Sequence, residues 1–150
     1  MTVAGWSATA TVDSTGRAWV RLPASIRPGA HAVTMAYSGT AITLPSTTTQ
    51  SIGVRRVAPT VRTTASGVAY RGYATVHVSV SAKLPASGRV ALYAGYYKVG
   101  SATLRKSHGH WVATIHTRRI LSTGTLALRY GGNHDVAPVL HKVGTVKRTR

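Results

Sequence analysis

The chain of 150 residues has no cysteine, no phenylalanine and no glutamate, and its acidic residues are Asp13 and Asp135 alone. Without cysteine there is no disulfide framework, no thiolate metal site and no cysteine nucleophile, although that absence does not by itself fix the compartment. General acid–base chemistry by paired carboxylates has almost no material to work with; both aspartates read as turn residues. No stretch approaches the roughly 18 apolar residues of a membrane span, and residues 1–12 carry no basic segment leading into an apolar one. An export signal or anchor is therefore expected outside these residues. Helical periodicity is scarce too, since no window sustains a 3.6-residue repeat for long.

Threonine, valine, alanine, serine and glycine dominate instead, a mix that suits strands and turns. Ala74, Val76, Val78 and Val80 alternate with Thr75, His77, Ser79 and Ser81, the period of a strand buried on one face. Residues 89–93 place Val90 and Leu92 inward, and residues 125–130 place Leu126, Leu128 and Tyr130 together. Turn signals separate these runs at Pro85–Gly88, Lys106–Gly109, Ser122–Gly124 and Gly131–Asn133. Several short strands spaced by turns predict an all-β sandwich or barrel.

Self-similarity sharpens that expectation. Gly16 and Gly109, Tyr37 and Tyr130, Gly39 and Gly132, and Pro45 and Pro138 all recur at one spacing of 93 residues. Ala18, Val20 and Leu22 fall in phase with Trp111, Ala113 and Ile115, both runs leaving a glycine turn, while Ser7-Ala8-Thr9 lies one residue out of step with Ser101-Ala102-Thr103. A changed hairpin turn produces such a slip. The order Pro85 to Gly88, Arg89 to Tyr93, Gly100 to Leu104, Gly109, Trp111 to Ile115, then Gly124-Thr125 to Tyr130-Gly131-Gly132 resembles the bacterial Ig-like repeat domains of large surface and secreted proteins. The resemblance covers nearly the whole chain and implies an immunoglobulin-like antiparallel β-sandwich, a fold of about 100 residues. It divides the chain into residues 1–55, a partial Ig-like unit, and residues 56–150, a complete unit with a basic C-terminal tail.

On this alignment the counterpart of the second unit's start falls roughly 36 residues ahead of Met1, so the first unit is expected to lack its early strands. Three explanations stand: truncation within a repeat, completion by a foreign strand, and pairing of the half unit onto the complete one. Exposed inner faces and strand edges are a liability that natural sheets avoid. Strand complementation or self-association through the incomplete unit therefore belongs among the expected partners, beside neighbouring Ig-like repeats.

The formal net charge is +17, and its distribution is uneven: three basic residues, Arg17, Arg21 and Arg27, precede Arg55, and sixteen follow from Arg55 onward. Such a field attracts anionic polymers and fades as salt screens it, although a Lys/Arg-rich surface also simply solvates a domain. The candidate anion-binding residues are Arg55, Arg56, Arg105, Lys106, Arg118, Arg119, Lys147 and Arg148, in a tail that runs on to Thr149 and Arg150. Arginine adds bidentate geometry for phosphate, sulfate or carboxylate. Trp19, Tyr96 and Tyr97 are the aromatic candidates, with Tyr93 close in sequence; Trp19 alternates away from Ala18 and Val20 and is expected to be exposed, to stack on a sugar ring or to cover a repeat junction.

His108, His110 and His116 invite a metal reading, but structural zinc wants four closed ligands, and turn histidines account for them better. The lone carboxylate in Gly131–Asp135 speaks against calcium. No Gly-x-Ser-x-Gly elbow supports a serine triad, and no phosphate-binding glycine loop is present. Neither an enzyme nor a cofactor is expected. The leading expectation is a structural or adhesive module, secreted or at a bacterial cell surface, that binds an anionic polysaccharide or cell-wall polymer. A basic protein that takes nucleic acid nonspecifically is the main alternative, although no helix-turn-helix, zinc-finger or RNA-recognition signature appears. A non-catalytic targeting module of a secreted hydrolase is a further one.

Overall fold

The computed structural model describes residues 1–148. Twelve strands form three antiparallel four-stranded sheets, and no helix occurs among the described residues. The chain separates into two compact units at Arg55/Arg56.

The second unit contains β5 (Thr60–Ser66), β6 (Thr75–Ser81), β7 (Arg89–Ala94), β8 (Tyr97–Thr103), β9 (Arg105–Ser107), β10 (His110–His116), β11 (Gly124–Tyr130) and β12 (Val139–Val146). One sheet runs β5-β6-β10-β9 and the other β12-β11-β7-β8. Those orders correspond to the A-B-E-D and G-F-C layers of an immunoglobulin-type sandwich, with β8 extending the second layer as C′ does. Alternation explains the packing. Val76, Val78 and Val80 of β6 and Ile115 of β10 meet Val90, Leu92, Leu126, Leu128 and Tyr130 of the other sheet in one buried cluster. At about 25 cal/mol per Å² of apolar surface removed from water, this cluster is the main stabilising term of the unit. The Tyr130 hydroxyl donates to the Ser87 carbonyl at 2.9 Å, so its one polar atom is satisfied. Burial raises the phenol above its ordinary pKa.

Residues 1–55 form one sheet, in the order β2-β1-β3-β4, from β1 (Thr2–Val3), β2 (Trp6–Ser7), β3 (Gly29–Tyr37) and β4 (Ser46–Val54). This order parallels β8-β7-β11-β12, and the register agrees from the loop back to Thr34 and Ala127, where the second hairpin shifts. Tyr37 lies opposite Ser46, and Tyr130 lies opposite Val139. The connecting loops share their internal bond, Thr40 N–H to Thr43 carbonyl at 2.9 Å and Asn133 N–H to Val136 carbonyl at 3.0 Å. Gly39 and Gly132 sit in these loops at φ of +79° and +73°, where an added Cβ would lie 2.5 and 2.6 Å from a backbone oxygen. Only glycine fits such a position.

The strand expected to leave the Gly16 turn does not form: residues 17–22 are irregular. The turn itself is made, with Asp13 N–H bonded to the Arg17 carbonyl at 2.8 Å and Gly16 N–H to the Asp13 carbonyl at 3.0 Å. The reason is pairing. β10, the in-phase counterpart, is a strand because Trp111, Ala113 and Ile115 lie opposite Val80, Val78 and Val76 of β6. Residues 1–55 contain no counterpart of β6, so the backbone of Ala18–Leu22 has no ladder to join.

Candidate functional site

The candidate cations are dispersed over the surface. Arg55 and Arg56 are exposed at the boundary of the units. Arg105 and Lys106 belong to the short edge strand β9, opposite Val112 and Trp111. Arg105 also lines an open groove of about 460 Å³ with Ala102, Thr103, Val112, Ala113 and Thr114. Arg118 is anchored through its backbone, its N–H donating to the Val99 carbonyl at 2.7 Å. Lys147 is exposed just beyond β12. Thr149 and Arg150, the end of the basic tail, lie outside the described residues.

Two of the candidates, Arg119 and Arg148, are drawn to one place by residues that sequence reasoning passed over. Tyr70 and Arg71 lie in the turn before β6. The Arg148 Cζ stands 5.2 Å and the Arg71 Cζ 5.5 Å from the centroid of the Tyr70 ring, both within cation–π range. The Arg119 Nε donates to the Arg71 carbonyl at 3.0 Å. Three guanidinium groups thus belong to one cluster, though Arg71 and Arg119 are 48 positions apart.

The backbone beneath this cluster is tied in several places. Arg71 N–H donates to the Ile120 carbonyl at 2.7 Å, Ile120 N–H to the Gly72 carbonyl at 2.9 Å, and Gly72 N–H to the Ala69 carbonyl at 3.2 Å. One step further in, Thr117 N–H donates to the Ala74 carbonyl at 2.9 Å, and the buried Thr117 hydroxyl accepts from Ala74 N–H at 2.8 Å. Ile120 has no exposed surface and pins the crossing to the core. Arg71 itself adopts φ of +61°, a left-handed conformation that costs a residue bearing a Cβ about 1 kcal/mol or more.

The outer face of β12-β11-β7-β8 also mixes cations with an aromatic ring. In register, Lys142 is opposite Ala127, Ala127 opposite Tyr93, and Tyr93 opposite Lys98. Arg129 occupies the next row, between Leu140 and Ala91. Of the aromatic candidates, Trp19 is 83%, Tyr96 100% and Tyr97 72% exposed. Tyr96 and Tyr97 lie at the β7–β8 hairpin, whereas Trp19 lies in the irregular segment of residues 1–55.

Two histidines on the outer face of β6 and β10 make ordinary surface bonds. His77 Nδ1 lies 3.1 Å from the Thr114 hydroxyl and His116 Nδ1 3.3 Å from the Thr75 hydroxyl. His108 and Gly109 form the β9–β10 turn with φ of +46° and +81°. Among the described residues no three His, Asp or Glu side chains converge on one point.

Among the described residues, carboxylates have little left to offer these cations. Asp135 receives His134 Nδ1 at 2.7 Å, the one salt bridge among the described residues. Asp13 is occupied by its own turn, where its Oδ1 accepts Arg17 N–H at 3.0 Å, the Thr15 hydroxyl at 2.7 Å and Thr15 N–H at 2.8 Å. Those bonds, led by that from Arg17, hold its pKa below the usual carboxylate value. No protein-family model, curated protein or solved structure matches the chain.

Proposed function

We propose that the chain is a non-catalytic, adhesive β-sandwich module of a secreted or surface-exposed bacterial protein, and that it attaches to an anionic polysaccharide or cell-wall polymer. The observation that carries this reading is the imbalance of charge from Arg55 onward: sixteen cationic side chains share that stretch with Asp135 alone, and His134 already engages its carboxylate. Among the described residues no Lys or Arg forms a salt bridge, so a polymer with regularly spaced anions is the natural complement of these cations. The sandwich contributes rigidity, its outer faces being left to the ligand. The order of the Ig-like motifs and the shared register of the two hairpins support membership in a tandem Ig-like array.

The test is retention of the whole chain on a sulfated glycan, a phosphate-rich wall polymer and duplex DNA across a salt series. Retention on one of the first two at about 0.15 M salt, where the Debye length is about 8 Å, with DNA already eluted, is the expected result. Elution of the chain from all three at the same salt, with equally steep dependence, would mean counterion release without recognition and would overturn the adhesive reading.

A further inference from the structure

We infer that Arg71 and Arg148 at the Tyr70 ring, together with Arg119 bonded to the Arg71 carbonyl, form a built oxyanion site, which takes a sulfate or phosphate ester group of the polymer. This inference rests on the adhesive reading above and assigns it a place. Arg71 and Arg148 approach the face of the Tyr70 ring, and a guanidinium held this way keeps its in-plane N–H groups available. Arg119 spends its Nε on the Arg71 carbonyl, which leaves its terminal nitrogens for a ligand. Like charges gathered together repel one another, and a doubly or singly charged tetrahedral group relieves that repulsion while accepting several charge-assisted bonds.

Two features separate this cluster from the other basic patches. The backbone that carries Arg71 and Arg119 is fixed before any ligand arrives, because the turn of Ala69–Gly72 and the segment of Thr117–Ile120 are laced together by backbone bonds and anchored by the buried Ile120. Preorganisation of this kind lowers the ordering cost of binding. In addition, Arg71 occupies a left-handed position where glycine or asparagine is the easier choice. A strained residue whose long cationic side chain joins two others has a reason to be arginine that folding alone does not supply.

That strain supplies a test in which affinity and stability move in different directions. Binding of the full chain to a heparin oligosaccharide and to poly(glycerol phosphate) is measured at 0.15 M salt, with duplex DNA as a third probe and thermal unfolding alongside. Arg71→Gly, Arg119→Gln and Arg148→Gln are each expected to weaken the better of the two ester probes about tenfold. Arg71→Gly should do so with an unchanged or raised Tm, because it relieves the backbone. Arg62→Gln with Lys83→Gln removes two exposed charges elsewhere and is expected to change affinity less than about threefold. Preference for heparin identifies a sulfate ester; preference for poly(glycerol phosphate) identifies a phosphate ester.

If the wild-type chain binds an ester probe and the three arginine variants match it, the site lies elsewhere: the adhesive reading stands and this inference falls. A loss of equal size in the Arg62/Lys83 variant would reduce the cluster to generic charge and overturn it as well. DNA binding tighter than either ester polymer, with the same three arginines required, would replace the glycan by nucleic acid. Failure of the wild-type chain to bind either ester probe would remove the adhesive reading and this inference together.

Discussion

The two units carry nearly the same sheet with very different consequences. β3 and β4 repeat the register of β11 and β12 from the loop back to Thr34 and Ala127, beyond which the second hairpin shifts register, and β1 and β2 occupy the places of β7 and β8. Yet Leu128 and Tyr130 have no exposed surface, while Met35 and Tyr37, their counterparts 93 positions earlier, are 38% and 36% exposed. Tyr130 reaches the Ser87 carbonyl in the connection between β6 and β7, whereas the Tyr37 hydroxyl stays within its own loop, 3.2 Å from that of Thr43. A hairpin's register is a local property, written in its turn and its alternation. The depth of its apolar face is not, because a sheet becomes a core only when a second layer packs on it.

Hydrogen exchange would expose that contrast most strongly. Amides of Trp111–Ile115, laddered to β6, should exchange at least about a thousandfold more slowly than those of Ala18–Leu22, an expectation from the gap between global and local opening. Comparable protection of both segments in the whole chain would show that Ala18–Leu22 finds a strand partner in solution.

Core truncation should show the same asymmetry on a smaller scale. Leu128→Ala is expected to cost about 3 kcal/mol through lost burial and a cavity, and Met35→Ala less than about 1 kcal/mol, as suits a side chain already partly in water. Denaturant unfolding followed by probes in each unit would report both. A Met35 loss as large as that of Leu128 would break the comparison, because it would require β3 to be as well covered as β11.

The smallest effect concerns the two glycine turns. Asp13 organises the first, and its counterpart in the second is Lys106, which has no carboxylate to titrate. Because the folded pKa of Asp13 is lowered, its bonds support the turn fully above the unfolded carboxylate range and are lost as pH falls through the lowered value. The Thr15 and Arg17 amide signals should therefore shift between about pH 5 and that value, while Arg105–Gly109 remain unmoved. An invariant Arg17 amide would mean that the Asp13 bonds do not persist in water.

Much of the second unit is legible in the amino-acid sequence. The alternation of Ala74–Val80, the inward Val90 and Leu92, and the clustering of Leu126, Leu128 and Tyr130 all follow from the two-residue period, and these residues are buried. Trp19 is exposed as expected but not by that rule: it lies in irregular chain, where Ala18 and Leu22 are exposed as well. Pairs such as Arg105-Lys106 and Arg118-Arg119 stand out in the sequence as doubled charges, but the cluster that forms joins Arg71, Arg119 and Arg148, which no spacing relates. The Tyr70-Arg71-Gly72 run offers only a turn signal, since cation–π proximity depends on which turns the folded chain brings together.

By itself, then, the sequence determined an all-β chain, the positions of its hairpins, the inward faces of its strands and an excess of positive charge. The charge is a matter of composition, and the rest is set by neighbours two to four residues apart, through side-chain alternation and the φ demands of turns. Tertiary structure alone decided that Trp111–Ile115 became a strand while Ala18–Leu22 did not, and that Arg71 and Arg148 met at the Tyr70 ring with Arg119 bonded to the Arg71 carbonyl. Ladders and charge clusters need partners distant in sequence, and a local pattern carries no record of whether its partner will be there.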